Sequence, residues 1–280
     1  MLLGRVAPCG ACVVQVRRER LALSVRQDSV GYPAETDWLA GAYLNTACRR
    51  GHGLKYDAAA TAPVETFTDL ATAAYCPRKL YYRRRADEYD PPDNVEAVRG
   101  LAFRYPDLLA PETDLSREPI ALTPTQYRSN LGCVKARLDC WNQLVDPADR
   151  EVLLEGRDCR GIAHKLLEAP PRPVVVSAGA PPEQGVFGPQ SVRATAAAKA
   201  LAWQRERPVE TALVEYPAHG EVRRLRLTTR RKAAYRRALR TAETLDGPPP
   251  RLDDDARCRP CEYREECGTR TRSLRSRLSL

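Results

Sequence analysis

Three cysteines near the end of the chain constrain its fold more than any other feature. Cys258, Cys261 and Cys267 lie within CRPCEYREEC and form a C-x2-C-x5-C pattern. The segment is highly charged, whereas cysteines that serve only for packing prefer apolar surroundings, so the pattern indicates metal or cluster binding. A tetrahedral zinc ion or a cubane iron–sulfur cluster needs four ligands. The fourth ligand must therefore come from a distant segment.

The stretch AYCPRKLYY, from Ala74 to Tyr82, supplies a candidate for that fourth ligand. It reads as a helix interrupted by Pro77, because proline lacks the backbone donor and kinks or breaks a helix. Such a break would project the thiol of Cys76 at a turn. We therefore expect four cofactor-binding residues that lie together, namely Cys76, Cys258, Cys261 and Cys267.

The other cysteines of the ten in the chain offer less. Cys9 and Cys12 form a C-x2-C pair in a stretch without a clear pattern, and Cys48 has no supporting context. Three more lie in or beside strand-like runs, where we expect them to pack in the core: Cys133, Cys140 and Cys159.

The net charge of +9 favours an acidic partner, of which nucleic acid is the most common. The same charge also follows from the arginine-rich composition that a GC-rich genome produces, so it leaves both interpretations open. No apolar run approaches the ~18 residues that span a membrane. The expected location is the cytoplasm, where thiols stay reduced and disulfides are rare.

The pattern of the chain changes at Val64. Residues 1–63 lack a sustained apolar period and are interpreted as a loosely packed N-terminal extension, with Val64 as an alternative start of the natural protein. Residues 64–270 read as one domain, and residues 271–280 as a basic tail. Within the domain we expect helices in VETFTDLATAAYC, SVRATAAAKALAWQRER and TTRRKAAYRRALRTAETL, and strands in LGCVKARLD, EVLLEGR, PVVVSAG and the two halves of VETALVEYPAHGEVRRLRL. This order predicts an α/β fold with a mixed sheet.

The paired motifs C-P-R-K-L-Y-Y and C-x2-C-E-Y-x3-C resemble those of the CRISPR-associated RecB-like exonucleases, the "Cas-four" family. The resemblance covers residues 64–268. It implies a PD-(D/E)XK nuclease fold with helices around a mixed sheet, a [4Fe-4S] cluster, and Mg²⁺- or Mn²⁺-dependent processing of DNA ends. It also implies single-stranded DNA ends as the partner, CRISPR integration proteins as further partners, and relatives that act in DNA repair.

Such nucleases hold the metal with an aspartate at a strand end and a Glu-x-Lys on the next strand. Asp139, at the end of VKARLD, matches the family's G-x-x-D-like context and is expected at the end of a strand beside PVVVSAG. Where the family adds a histidine, this chain has Arg104.

The Glu-x-Lys admits two registers. In the favoured register, VVVSAG places Ser177 and Gly179 at the ligand and lysine positions, with Gln190 or Arg193 near the family's glutamine. In the other register, LLEGRD offers Glu155 as the catalytic residue, followed by Gly156 and Arg157. A neutral serine holds Mg²⁺ poorly, and arginine does not replace a lysine that must lose a proton.

Three functions stay open on the sequence. The chain is a DNA-end-processing exonuclease with a degenerate metal site, or a non-catalytic DNA-binding or scaffold protein that keeps the nuclease fold and cluster, or a zinc-stabilised structural module. The catalytic candidates are Asp139, also as metal ligand, and Glu155.

Overall fold

The structure is a computed structural model that describes residues 64–86 and 94–268. The interpretations of residues 1–63 and 271–280 lie outside the described residues. The α-helices are α1 (Phe67–Tyr75), α2 (Pro77–Arg83), α3 (Asn94–Leu101), α4 (Tyr105–Leu109), α5 (Pro124–Arg137), α6 (Trp141–Val145), α7 (Gly188–Gln204), α8 (Thr229–Glu243), α9 (Asp255–Cys258) and α10 (Arg264–Gly268). The strands are β1 (Glu65–Thr66), β2 (Asp149–Glu155), β3 (Cys159–Glu168), β4 (Pro171–Val176), β5 (Thr211–Tyr216) and β6 (Glu221–Arg226).

These strands form one mixed sheet in the order β1-β3-β4-β5-β6, with β2 also paired to β3. The β2–β3, β3–β4 and β5–β6 pairs are antiparallel. The β4–β5 pair is parallel, and α7 makes the crossover between its strands, as a parallel connection requires. No helix in the described part of the chain is long and apolar enough to cross a membrane.

Helices cover both faces of the sheet, because successive side chains of a strand point to opposite sides. Val175 of β4 and Val214 of β5 belong to the core beneath α1, α7 and α8. Val174 and Val176, on the other face of β4, pack with the side chains of α4, α5 and α6. The predicted mixed sheet flanked by helices is therefore confirmed, whereas the specific nuclease fold stays a prediction.

The strand predicted for LGCVKARLD is wrong, because this stretch is the second half of helix α5. Thr123 and Gln126 form a capping box at the start of α5, and Pro124 occupies its first position. The buried side chains Tyr127, Leu131 and Val134 follow helical spacing along α5. LGCVKARLD by itself resembles the two-residue alternation of a strand, so the helical period of α5 was not recognised.

Candidate cysteine centre and basic cleft

Cys76 lies at the break between two helices. Its backbone is extended, with φ −160° and ψ 114°, and it ends α1 while Pro77 begins α2. The Cys76 amide donates to the Thr72 carbonyl at 2.8 Å, and its own carbonyl accepts from the Leu80 amide at 3.2 Å. The proline costs no hydrogen bond here, since the first amide of a helix has no intrahelical partner. The Cys-Pro pair thus serves to place a thiol between two helices.

Four cysteines line a single small pocket between α2 and the C-terminal segment: Cys76, Cys258, Cys261 and Cys267. All four are half-buried free thiols. Thiols of this number and accessibility fit the ligand chemistry of an iron–sulfur cluster or of zinc. As the side chains stand, no three His, Cys, Asp or Glu residues within the described ranges are grouped closely enough to hold one metal ion.

Residues of the AYCPRKLYY stretch hold the cysteine segment in place. Tyr75 and Arg257 exchange hydrogen bonds, each from a side chain to the other's carbonyl. Lys79 donates to Glu262 at 2.7 Å. These side chains flank Cys76 in the sequence, so the contacts that dock the segment also bring the distant cysteine to the other three.

Tyr82 adds two further contacts to the same segment. Its hydroxyl donates to the Glu266 carbonyl at 3.1 Å, and its ring stacks on Tyr263 with the centroids 6.1 Å apart. Tyr75 and Tyr82 therefore both contact the C-terminal cysteine segment.

Burial and charged neighbours act in opposite directions on the pocket thiol of Cys261, and the net shift of its pKa is upward. Desolvation by burial raises the pKa of Cys261, and the nearby Cys76 raises it further, while Lys79 lowers it. Lys79, Arg251, Arg257 and Arg264 line the pocket with the cysteines. Cations beside cysteines stabilise the deprotonated form that binds metal, and they would offset the negative charge of a thiolate-bound cluster.

The described cysteines outside this pocket are structural. Cys140 and Cys159 are buried, as expected, and the Tyr235 hydroxyl donates to the Cys159 sulfur at 3.3 Å. Cys133 is only half-buried on α5 and belongs to neither core cluster, so the expectation that it packs in the core is wrong. Cys9, Cys12 and Cys48 lie outside the described residues.

A larger cleft of about 820 Å³ opens beyond the C-terminal end of β4 and borders the cysteine pocket. Tyr75, Lys79 and Arg257 line both. Four cations line the cleft, namely Lys79, Arg99, Arg193 and Arg257. Of the described residues that line it, the one acidic side chain is Asp254, and Arg257 pairs with it at 3.0 Å.

Ser177 lies in this cleft, directly after β4, as the favoured register places it. Its amide donates to the Glu215 carbonyl at 2.8 Å, which continues the β4–β5 pairing by one residue. Gln190 and Arg193 of α7 line the same cleft. Gly179 follows two residues after Ser177 and carries no side chain into it.

His164 is a buried histidine, whereas an isolated histidine is more often a surface or turn residue. It is buried in β3, and its Nδ1 accepts a hydrogen bond from the Val176 amide at 3.1 Å. Burial, together with Arg193 and Arg99, lowers the pKa of His164 to about 3, so the ring is neutral at physiological pH. The sequence indicates this position of His164 through its neighbours, because Gly161-Ile-Ala-His164 is a Gly-x-x-His stretch within a strand-like run.

Asp139 does not end a strand beside PVVVSAG, and this prediction is wrong. It follows helix α5 and contacts Arg224 and Arg172, the latter at 3.6 Å. Arg172 is the second residue of β4, whereas Ser177 follows the last residue of that strand. About 16 Å along the strand therefore separates Arg172, which Asp139 contacts, from Ser177. Although desolvation opposes it, the two arginines lower the pKa of Asp139. The structure does not bring Asp139 to the cleft.

Glu155 is the exposed last residue of β2 and lies opposite Arg160 of β3. Gly156 then turns the chain, donating to the Cys159 carbonyl at 2.8 Å, and Arg157 pairs with its neighbour Asp158 at 2.8 Å. Because β2 and β4 flank β3 on opposite sides, Glu155 and Ser177 stand on different strands of the sheet and Glu155 does not line the cleft.

Other basic candidates have protein partners. Arg84 pairs with Glu65 and donates to the Ala242 carbonyl at 2.7 Å, and Arg83 donates to Thr72 at 3.0 Å. Arg104 makes two hydrogen bonds to Glu118, at 3.0 and 2.7 Å.

No family model matches the chain, and no curated protein matches it.

Proposed function

We propose that this protein binds DNA through the basic cleft and holds a [4Fe-4S] cluster with its four pocket cysteines, without cutting the DNA. The observation that carries the proposal is the cleft beside the cysteine pocket, lined by four cations and one acidic side chain. Arginine and lysine are the side chains that neutralise phosphates, so a nucleic acid backbone is the ligand that suits this charge.

The absence of cleavage rests on the side chains at the end of β4. Mg²⁺ takes charged oxygen ligands, and the cleft offers it a hydroxyl at Ser177 and a carboxylate at Asp254 that is paired to Arg257. The cations Arg99 and Arg193 would repel a divalent metal from the same space. The sequence candidates Asp139 and Glu155 lie elsewhere in the domain.

The proposed role of the cluster is to link the first helices of the domain to its last segment. The residues that would hold it are Cys76, between the first two helices, and the three cysteines of the last segment. α9 and α10, of four and five residues, bury no described side chain, so they contribute little apolar stabilisation of their own. A cluster bound there would supply ligand bonds between the two ends of the domain.

Three measurements on anaerobically purified protein test the proposal. Fluorescence anisotropy with labelled single-stranded DNA should show binding that weakens steeply with salt. Incubation of the same DNA with Mn²⁺ should leave it intact. Iron and zinc contents should show about four irons per chain, whereas one zinc and no iron would favour the zinc-stabilised module. Cleavage that requires Mn²⁺ would favour the exonuclease.

A further inference from the structure

Two arginines of the cleft have no hydrogen-bond or ion-pair partner among the residues that the structure describes. Lys79 pairs with Glu262, and Arg257 with Asp254. Within the described ranges neither Arg99 nor Arg193 forms a hydrogen bond or an ion pair, and the Nε atom of Arg193 is buried. Buried polar atoms without a partner are uncommon in folded proteins, and each requires an explanation.

Burial leaves Arg193 charged. Desolvation, Arg99 and Arg83 lower its pKa to about 10, while Glu151, which also interacts with Arg99, raises it. The guanidinium is therefore protonated at neutral pH although two cations share the site. Desolvated like charges repel one another, so an anion between them would stabilise the folded protein.

The beginning of α7 adds donors to the same place. Gly188, Pro189 and Gln190, the first three residues of this 17-residue helix, line the cleft. The N-cap residue Phe187 offers no side-chain oxygen to the first-turn amides. Gly188 and Gln190 each carry a first-turn amide, whereas Pro189 has none, and unfilled amides at a helix N-terminus attract anions.

Gln190 also has an unpaired polar atom. Its side-chain oxygen is buried and accepts no hydrogen bond from the described part of the chain. The oxygen and the NH2 group of this amide exchange places by rotation, so the same side chain can donate to an anion.

We propose that the cleft receives the end of a DNA strand that carries a terminal phosphate, with the phosphate held by Arg193, Arg99 and the first turn of α7. A terminal phosphate monoester carries close to two negative charges at neutral pH and three terminal oxygens, whereas an internal phosphodiester carries one charge and two such oxygens, so the monoester gains more from two guanidinium groups and the amides of α7. A volume of about 820 Å³ accommodates the attached nucleotide as well as the phosphate. This inference rests on the proposed DNA binding and names the form of DNA bound.

The test compares oligonucleotides of one sequence that end in 5′-phosphate, in 3′-phosphate or in hydroxyl groups at both ends. Anisotropy is measured in EDTA, so no divalent metal takes part. We expect one phosphorylated end to bind about tenfold more tightly than the hydroxyl form. Arg193→Gln should abolish that preference, and Arg99→Gln should weaken it.

Arg205→Gln is the matched control. Arg205 follows the end of α7, about 18 Å along the helix from Arg193, and pairs with Glu168 at 2.7 Å. Its loss removes the same charge and should keep the preference. Circular dichroism identifies any variant that fails to fold, and Arg193→Lys, which keeps the charge, then serves in its place and should retain part of the preference.

Equal binding of phosphorylated and hydroxyl ends by the natural protein would overturn this inference and leave the proposed function standing. A preference that survives in both Arg193→Gln and Arg99→Gln would also overturn it. If none of the oligonucleotides binds, the proposed function fails and the inference fails with it.

Discussion

Tyr75 and Arg257 hold each other by two reciprocal hydrogen bonds of 3.0 Å, in which the side chain of each donates to the backbone carbonyl of the other. Each residue immediately precedes a cysteine of the pocket, Cys76 or Cys258. The pair therefore holds Cys76, between the first two helices, close to Cys258 of the last segment without the help of a cofactor.

Replacing Tyr75 by Phe should loosen this link. The change removes one of the two hydrogen bonds, worth about 0.5–1.5 kcal/mol, and keeps the ring. We expect the variant to keep its fold but to lose iron to a chelator faster than the natural protein. The loss is measured by the decrease in visible absorbance. Tyr81→Phe is the control, because the Tyr81 hydroxyl makes no hydrogen bond within the described residues while its ring contacts Arg85. Equal rates of iron loss in the two variants would contradict the role given to Tyr75.

Cys76→Ser should remove the cluster. A serine hydroxyl does not replace a thiolate ligand, so the brown colour and the iron content should be lost and thermal stability should fall. Cys133→Ser, on α5 and outside the pocket, should keep both. Full iron content in Cys76→Ser would show that another residue supplies the fourth ligand.

Breaking the buried pair of Lys165 and Glu215 on one side should strongly destabilise the protein. The Lys165 amine donates to Glu215 at 3.0 Å and to the Ala102 carbonyl at 2.6 Å, and both side chains are fully buried. Lys165→Met leaves a buried carboxylate unpaired and should cost about 3–5 kcal/mol in the free energy of unfolding. Adding Glu215→Leu should recover most of that loss. Urea unfolding measures both, and a harmless Lys165→Met would contradict the pairing.

Acid should destabilise the protein through His164. Its pKa is near 6.5 in the unfolded chain and about 3 in the folded one. Between these values the unfolded state binds more protons, so stability falls as pH decreases from 6.5 toward 3, by up to about 1.4 kcal/mol per pH unit. His164→Gln should have a shallower dependence in urea unfolding over pH 4–7. The same slope in both proteins would show that His164 is not buried neutral.

Catalysis should require more than the two substitutions suggested by the favoured register. Ser177→Glu with Gly179→Lys adds one carboxylate and one lysine, but Asp254, the other carboxylate among the described residues that line the cleft, is paired with Arg257. His164→Asp would place a further carboxylate on β3, in the Gly-x-x-Asp context of the resembling nucleases, beside the end of β4. We expect weak Mn²⁺-dependent cleavage of single-stranded DNA from the triple variant and none from the double variant. Cleavage by the double variant would contradict this arrangement.

Part of the fold could be predicted from the sequence because several elements carry local signals, whereas β3, which pairs with three other strands, was not predicted. Thr66 and Thr228 cap α1 and α8 through their side chains, and Gly220 adopts a left-handed φ of 59° in the turn between β5 and β6. The helix α5 was missed because its buried side chains are widely spaced among polar ones.

The cysteines could be grouped from the sequence, but the nuclease-site residues could not be placed. C-x2-C spacing and a Cys-Pro break are local patterns that can be recognised in a single sequence. The predicted position of Asp139 depended on assigning its segment to a strand, and that assignment was wrong. Its contacts with Arg172 and Arg224 therefore could not be predicted. The pairing of His164 with Val176 arises from the antiparallel register of β3 and β4, which no local pattern specifies.

The most direct test of the account measures DNA binding and DNA cleavage in one sample of anaerobically purified protein. Labelled single-stranded DNA with a terminal phosphate is titrated in EDTA and again in Mn²⁺, and the DNA is then resolved on a denaturing gel. The account predicts equal affinity in both buffers, weakened by Arg193→Gln, and intact DNA throughout. Binding that requires Mn²⁺, with shortened DNA on the gel, would contradict it.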